Sequence, residues 1–374
     1  MKPRRIGILR LSAIGDVVHA MPLALGLRGA FPEARITWVV QAEAAPLLRD
    51  HPAVDDVLVF PRRGGPGAWA RFLRALWDRR LDATVDPQGN LKSGIVGLLS
   101  GARLRAGLHG RDCKEWGNAL LTNRHGRPAR GLHGIDRAWV AAEALGLRPG
   151  PDAYGLSATR EETEAWRARC RAAGADPAGP ILAMHLTDPA DARAWFPEPW
   201  AEAARGAVER GFQVVLNGTA ERRDLAASMA APGVFDLTGR DDLRGLLAQF
   251  ADMARREGNV LVSPDSGPVH IAVAAGLDVI CLSGPQDPRR TGPRRGVAVT
   301  AWEGLPCAPC LERECVLRPP TRDCMARIRP EAIWTRLRAP GRGGGRSGPG
   351  APSTSSPAPG PSPGAREPRR RAAP

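Results

Sequence analysis

Asp16 follows Gly15 in "SAIGDVVHAMP", where an apolar strand gives way to helical spacing. A glycine there permits a sharp reversal that leaves the carboxylate facing a cleft, the position of a general base. The alternative is a helix-start carboxylate that caps free N–H groups and complements the dipole, a common placement for aspartate. The two roles pull on the group in opposite directions. The dipole favours the charged form, whereas desolvation by Val17 and Met21 would favour the neutral one.

A second candidate is "SPDSGPVHIAVAAG", where Asp265, Ser266 and Gly267 end an apolar run and Pro268 opens a helix. Proline at the first turn sacrifices no hydrogen bond, so the leading N–H groups stay free for an anion. Ser266 and Gly267 would hold phosphate through hydroxyl and backbone, and His270 is either a ligand or a packing histidine. The stretch is not the GxGxxG dinucleotide fingerprint. In "HLTDPADARAWFPEPW", His185, Leu186 and Thr187 end a strand, and a loop brings Arg193 and Trp195 before a proline-started helix. A cation there would stabilise a leaving pyrophosphate, unless it is a solvated surface arginine. Glu221, after "NGTA", would accept hydrogen bonds from a sugar or ribose hydroxyl, or cap a helix. Cys307, Cys310, Cys315 and Cys324 form a C-x2-C-x4-C-x8-C array. That spacing suits a small structural metal or a redox-sensitive cluster, with ordinary reduced thiols as the alternative.

The elements that must carry these residues alternate. "IGILRL", "RITWVV", "DDVLVF" and "DATVDPQG" read as strands with amphipathic stretches between them, and "PILAMHL", "FQVVLNG", "GNVLVSPDSG" and "LDVICLSG" restart the pattern after a polar helix at 160–173. The expectation is an α/β chain of two Rossmann-like units, residues 1–160 and 161–339, with the chemistry at strand ends lining a cleft between them. Residues 340–374 are rich in Pro, Gly, Ser and Arg without apolar period and are read as a disordered tail.

With 53 Lys and Arg against 39 Asp and Glu, the chain carries a formal charge of +14, of which the tail supplies +5. Such a protein is drawn to polyanions, and charge alone does not choose among nucleic acid, anionic membrane and phosphorylated substrate. Tyrosine occurs once and aromatics make up 5% of the chain, with no basic-aromatic recognition motif, so no nucleic-acid partner is expected. Arg10 and Asp16 interrupt the first apolar stretch, which argues against an export signal and for a cytoplasmic protein that touches the inner membrane peripherally at most.

Taken in order, "ILRLSAIGDVVHAMP", "DPQGNLKSG", "HGIDR", "HLT" with Arg193-Ala194-Trp195, "NGTAE", "SPDSGPVHIAVAAG" and "SGPQDP" resemble glycosyltransferase family 9, the heptosyltransferases of lipopolysaccharide core synthesis. The resemblance covers about Arg4 to Leu337. It implies a GT-B fold, an N-terminal acceptor domain, a C-terminal domain binding ADP-heptose, and inverting transfer to a lipid-linked core saccharide with no cofactor or catalytic metal. By matching position, Asp16 takes the base role and Arg193 stands where a lysine is usual. Thr187, Glu221, Asp265, Ser266, Gly267 and His270 fall on the donor side. Gly15, His19, Arg62 and Lys92 fall on the acceptor side, where Arg63 and Arg71 add positive charge. Asp16 is then expected across the cleft from Ser266 and Gly267 with room for a sugar between. A nucleotide-sugar epimerase on the same architecture is the enzymatic rival, and a basic nucleic-acid-binding protein the more remote one.

Overall fold

A computed structural model describes residues 3–338, and the tail expected at 340–374 lies outside the described residues. Two six-stranded sheets, parallel throughout, form the frame. The first contains β1 (Arg5–Leu9), β2 (Arg35–Gln41), β3 (Asp56–Phe60), β4 (Ala83–Asp86), β5 (Leu104–Gly107) and β6 (Arg124–His125) in the order β3-β2-β1-β4-β5-β6. The second contains β7 (Ile181–His185), β8 (Gln213–Asn217), β9 (Val234–Asp236), β10 (Val260–Pro264), β11 (Asp278–Leu282) and β12 (Val297–Val299) in the order β12-β11-β10-β7-β8-β9. Each sheet therefore reverses its strand order once, between β1 and β4 in the first and between β7 and β10 in the second. Such a reversal opens a crevice beyond the carboxyl ends of the two strands.

The inner strands are near-continuous runs of Ile, Leu, Val and Ala because helices cover both faces of a parallel sheet. β1 buries Ile6 to Leu9, and every residue of β10 is buried. Helix Arg160–Ala172 opens the second half. Thr159 Oγ1 accepts from Glu162 N at 3.1 Å while Glu162 Oε2 accepts from Thr159 N at 2.9 Å, a reciprocal cap that satisfies two free donors of the first turn. Its Trp166 is fully buried, and it packs along helix Leu243–Met253.

The two halves share a core. Ile6, Ile8 and Trp38 of the first sheet belong to the same buried cluster as Ile181, Leu261 and Val279 of the second. Val17 and Val18 on helix Ile14–His19, with Val269 and Ile271 on helix Gly267–Ala274, belong to it too. The second helix is apolar all round because it is covered on one side by its own sheet and on the other by the opposite half.

Candidate active site

The two short helices that cross the joint start just after β1 and just after β10, so the two crevices face each other. Their approach is close. A Cβ added to Gly15 would lie 2.3 Å from His270 Cδ2, one on Gly134 would lie 2.4 Å from His19 Nδ1, and one on Gly267 would lie 3.0 Å from Ile14 Cγ2. Only glycine fits the first two positions.

Three imidazoles fill this joint. His19 Nε2 lies 3.0 Å from His270 Nδ1, and His270 Nε2 faces Asp265 Oδ1 at 3.6 Å. Asp265 Oδ2 accepts from the Thr291 hydroxyl at 2.7 Å. The third ring, His133, caps helix Gly134–Glu143: its Nδ1 accepts from Ile135 N at 3.2 Å and Arg294 Nε at 3.3 Å, so its Nε2–H donates to Gly292 O at 3.0 Å. Burial first, then the neighbouring imidazole of His270, pushes His19 well below the ordinary histidine range. Burial also lowers His133, with Arg294 adding to the effect. Both are held neutral. Burial alone would raise Asp265, but His270, the Thr291 hydroxyl and Arg193 outweigh it and hold the carboxyl below its usual range. Arg294 Nη2 pairs with Asp136 Oδ2 at 2.6 Å and closes the joint on its outer side.

Asp16 sits beside this joint, half exposed. Its Oδ1 pairs with Arg10 Nη2 at 2.7 Å, and its Oδ2 accepts from Ala13 N at 3.3 Å. Asp16 therefore does cap its helix, and its carboxylate also opens into a cavity of about 660 Å3. Residues of both halves line that cavity: Arg10, Gln88, Asn90 and Arg137 on one side, Arg290, Thr291 and Arg313 on the other. A volume of this order suits a sugar nucleotide or a saccharide unit. A neighbouring cavity of about 440 Å3 shares Gln88, Asn90, Lys114 and Arg313 with the first and reaches Arg62 and Lys92. The two make one groove with a strongly cationic lining.

The expected site residues divide. Asp16, Arg62 and Lys92 line the groove, whereas Arg63 and Arg71 are not among its lining residues. Gly15 and His19 lie in the joint and not in the groove, because His19 is buried against His270 and Gly15 against the same ring. Gly267 backs onto Ile14, and the second-half residues that line the cavity with Asp16 include Thr291 but not Ser266 or Gly267. Ser266 bonds locally, its hydroxyl 3.0 Å from that of Ser263. Arg193 is clamped by Asp191 through Nε at 2.8 Å and Nη2 at 2.6 Å, and its Nη1 donates to Asp265 O at 2.7 Å. In this arrangement it props the loop that carries Asp265. Thr187 lies just past β7 with its hydroxyl buried and unpartnered, as are His185 Nδ1 and the Asn217 amide at the ends of β7 and β8. Burial lowers His185 to about 4. Such groups at a strand-end crevice are ready partners for a polar ligand. Glu221 is exposed at the start of the turn Ala220–Arg222, its carboxyl lowered first by the Thr219 hydroxyl.

Among the described residues no group of three or more His, Cys, Asp or Glu side chains is placed to hold a metal ion. Cys307, Cys310, Cys315 and Cys324 are free thiols. Burial, then the charges of Cys310, Cys307 and Cys315, push the Cys324 thiol up to about 11.

Sequence reasoning did not single out Gln88, Asn90, Lys114, Arg137, Arg290, Thr291 or Arg313. A signal existed for part of this set, since "DPQGNLKSG" contains Gln88 and Asn90 and "HGIDR" contains His133, Asp136 and Arg137.

Two Rossmann-like halves facing each other across a groove, with the Asp16 carboxylate in the first helical turn after β1 opening into it, have the architecture of the GT-B fold. The chain belongs to glycosyltransferase family 9 (heptosyltransferase), whose family model matches residues 69–320. It is 30% identical to lipopolysaccharide heptosyltransferase 1 of Pseudomonas aeruginosa, over 90% of this chain and 97% of that one. Among solved structures it is similar to a family 9 glycosyltransferase from Veillonella parvula, with a TM-score of 0.74 and 17% identity over 89% of this chain and 95% of that one. It is also similar to an E. coli heptosyltransferase solved with ADP-2-deoxy-2-fluoro heptose, with a TM-score of 0.69 and 20% identity over 88% and 98%. Family membership favours glycosyl transfer over both the epimerase and the nucleic-acid readings. No helix among the described residues is long and apolar enough to cross a membrane.

Proposed function

We propose that the chain transfers a heptose from ADP-heptose to a lipid-linked inner-core acceptor at the cytoplasmic face of the inner membrane, with inversion and with Asp16 as general base. The acceptor would occupy the half formed by residues 1–160 and the donor the half formed by 161–339. The observation that carries this reading is the Asp16 carboxylate opening into a groove lined by both halves. The ADP-2-deoxy-2-fluoro heptose bound by the similar E. coli heptosyltransferase, and the cationic lining suited to acceptor phosphates and carboxylates, support it.

In the proposed step the acceptor hydroxyl gives its proton to Asp16 as its oxygen bonds to the anomeric carbon. The bond from that carbon to the diphosphate oxygen breaks, and ADP leaves with the electron pair. Arg10 holds the carboxylate in place through its 2.7 Å pair. Arg290 and Arg313, which line the cavity from the second half, would meet negative charge developing on the leaving diphosphate. Thr187, Ser266 and Glu221 remain the proposed donor contacts at the second crevice, and no metal enters the step.

The test measures ADP release from ADP-heptose with a Kdo-terminated lipid acceptor. Asp16→Asn keeps the size of the side chain and an oxygen for Ala13 N–H, so it separates capping from proton transfer. A loss of about 10²–10⁴-fold in kcat is expected. A rate equal to wild type would remove Asp16 from the base role, and donor consumption without acceptor would point to the epimerase.

A further inference from the structure

Helix Leu91–Leu99 is turned inside out. Its packed face carries Ser93, Gly94, Val96 and Gly97, and its outward face carries Leu91, Lys92, Ile95, Leu98 and Leu99. The outward aliphatic positions fall at i, i+4, i+7 and i+8, the stripe that a globular helix ordinarily turns toward its core. The small residues let it lie close to its neighbours: a Cβ on Gly94 would meet Asn118 Nδ2 and Leu121 Cδ1 at 2.9 Å. Helix Asn118–Leu121 packs beside it, and Gly117 touches Leu91 closely enough that an added Cβ would lie 2.8 Å from Leu91 Cδ2. Next to that contact stand Trp116 and Leu120, each 73% exposed. Six large apolar side chains thus form one patch, a feature that soluble chains rarely leave open without a partner.

Two of the chain's three lysines, Lys92 and Lys114, rim the patch, and both also line the groove. Glu115, between Lys114 and Trp116, is spent on the helix start, where its Oε2 accepts from Leu91 N at 2.8 Å.

We propose that this patch docks the chain on an anionic lipid bilayer, the aliphatic side chains entering the headgroup–acyl boundary and Lys92 and Lys114 meeting the lipid phosphates. Tryptophan and lysine at the edge of an aliphatic face are the residues that such a boundary favours. Charge argues against a second copy as the occupant, because a twofold pairing would bring the lysines of both copies together. Position argues for the bilayer. The patch runs into the groove through Asn90, Lys92 and Lys114, so a saccharide tethered by its lipid would arrive at the groove mouth. The biological purpose of docking rests on the function proposed above, whereas docking itself is testable without it.

The experiment is flotation of the full-length chain with vesicles of phosphatidylethanolamine and phosphatidylglycerol, compared with phosphatidylcholine vesicles. Wild type should float with the anionic vesicles, and the triple variant Ile95→Ser, Leu98→Ser, Leu120→Ser should partition at least about tenfold less, given the area lost to the acyl boundary. The variant keeps the arginine-rich tail, so equal flotation of variant and wild type would assign any binding to the tail and overturn the proposal. A wild-type dimer that the variant splits, with flotation unchanged, would overturn it in favour of a second copy. Because the replaced side chains are exposed, the variant should melt with wild type and match its rate on a deacylated, water-soluble acceptor. Quenching of Trp116 by brominated lipid, lost in Trp116→Phe, is the second readout and survives a folding defect in the triple variant. Absence of that Trp116-dependent quenching in vesicle-bound wild type would also overturn the proposal. Patch-dependent flotation by a chain that transfers no sugar would refute the proposed function and leave docking standing.

Discussion

Replacing Gly15 with alanine places a methyl group 2.3 Å from His270 Cδ2 and 3.0 Å from its Nε2. Both distances are well inside van der Waals contact, and the ring has no easy escape, because one nitrogen lies 3.0 Å from His19 and the other faces Asp265. Either the two helices separate or the imidazole swings and breaks its contact with His19. Overpacking of this kind costs ~1–3 kcal/mol, and a lost hydrogen bond between buried groups adds ~0.5–1.5 kcal/mol. Alanine returns up to ~1 kcal/mol of backbone entropy relative to glycine in a helix. The net expectation for Gly15→Ala is a loss of about 1–3 kcal/mol. In a His270→Ala background the obstacle is gone, and the same substitution should be neutral or slightly stabilising. The four proteins of this cycle, unfolded in urea, should therefore show a coupling of about 2 kcal/mol, well above the ~0.3–0.5 kcal/mol scatter of independent sites. If Gly15→Ala costs the same with and without the His270 ring, the two halves do not meet in the way described.

Two further outcomes follow from buried polar groups. Asn118 Nδ2 donates to Asp86 Oδ2 at 2.7 Å and to Asn90 O at 2.8 Å, and Asp86 is buried, its carboxyl raised first by that burial. Asn118→Ala should cost about 2–3 kcal/mol in urea unfolding, and a cost below ~0.5 kcal/mol would mean that the Gln88 and Gly89 amides suffice to hold Asp86. Burial lowers His19, His133 and His185 in the folded state, the last to about 4, so below pH ~6.5 the unfolded chain binds protons that the folded chain refuses. Stability should be full at neutral pH and above. It should fall with pH by up to ~1.4 kcal/mol per unit for each histidine until its folded-state value is reached, and equal unfolding midpoints at pH 7.5 and 5.5 would refute this.

The long inner strands were legible because a buried parallel strand must be an apolar run, and "IGILRL", "RITWVV" and "FQVVLNG" all became strands. β5, β6, β9 and β12 were not singled out. They have four, two, three and three residues, and pairing with an inner neighbour defines them. Within the site, Asp16 was legible as a carboxylate at a strand-to-helix turn. Its partner surface was not, because Arg290, Thr291 and Arg313 reach the cavity only through the meeting of the two halves. In a chain where nearly every cation is arginine, residue type carries no information about which ones line a groove. His19 and His270 were each visible as a lone histidine on an apolar helix, but nothing in either helix announces a partner 251 residues away.

That shared seam makes the halves poor candidates for exchange. A chimera whose second half comes from another chain keeps the fit at Gly15 only where that half carries a histidine at the position of His270, whereas the fit of His19 to Gly134 is lost only if the cut falls inside the first half. A graft designed to alter donor choice must therefore carry Ile14, Gly15 and His19 along with helix Gly267–Ala274, as one inherited unit that ignores the order of the chain.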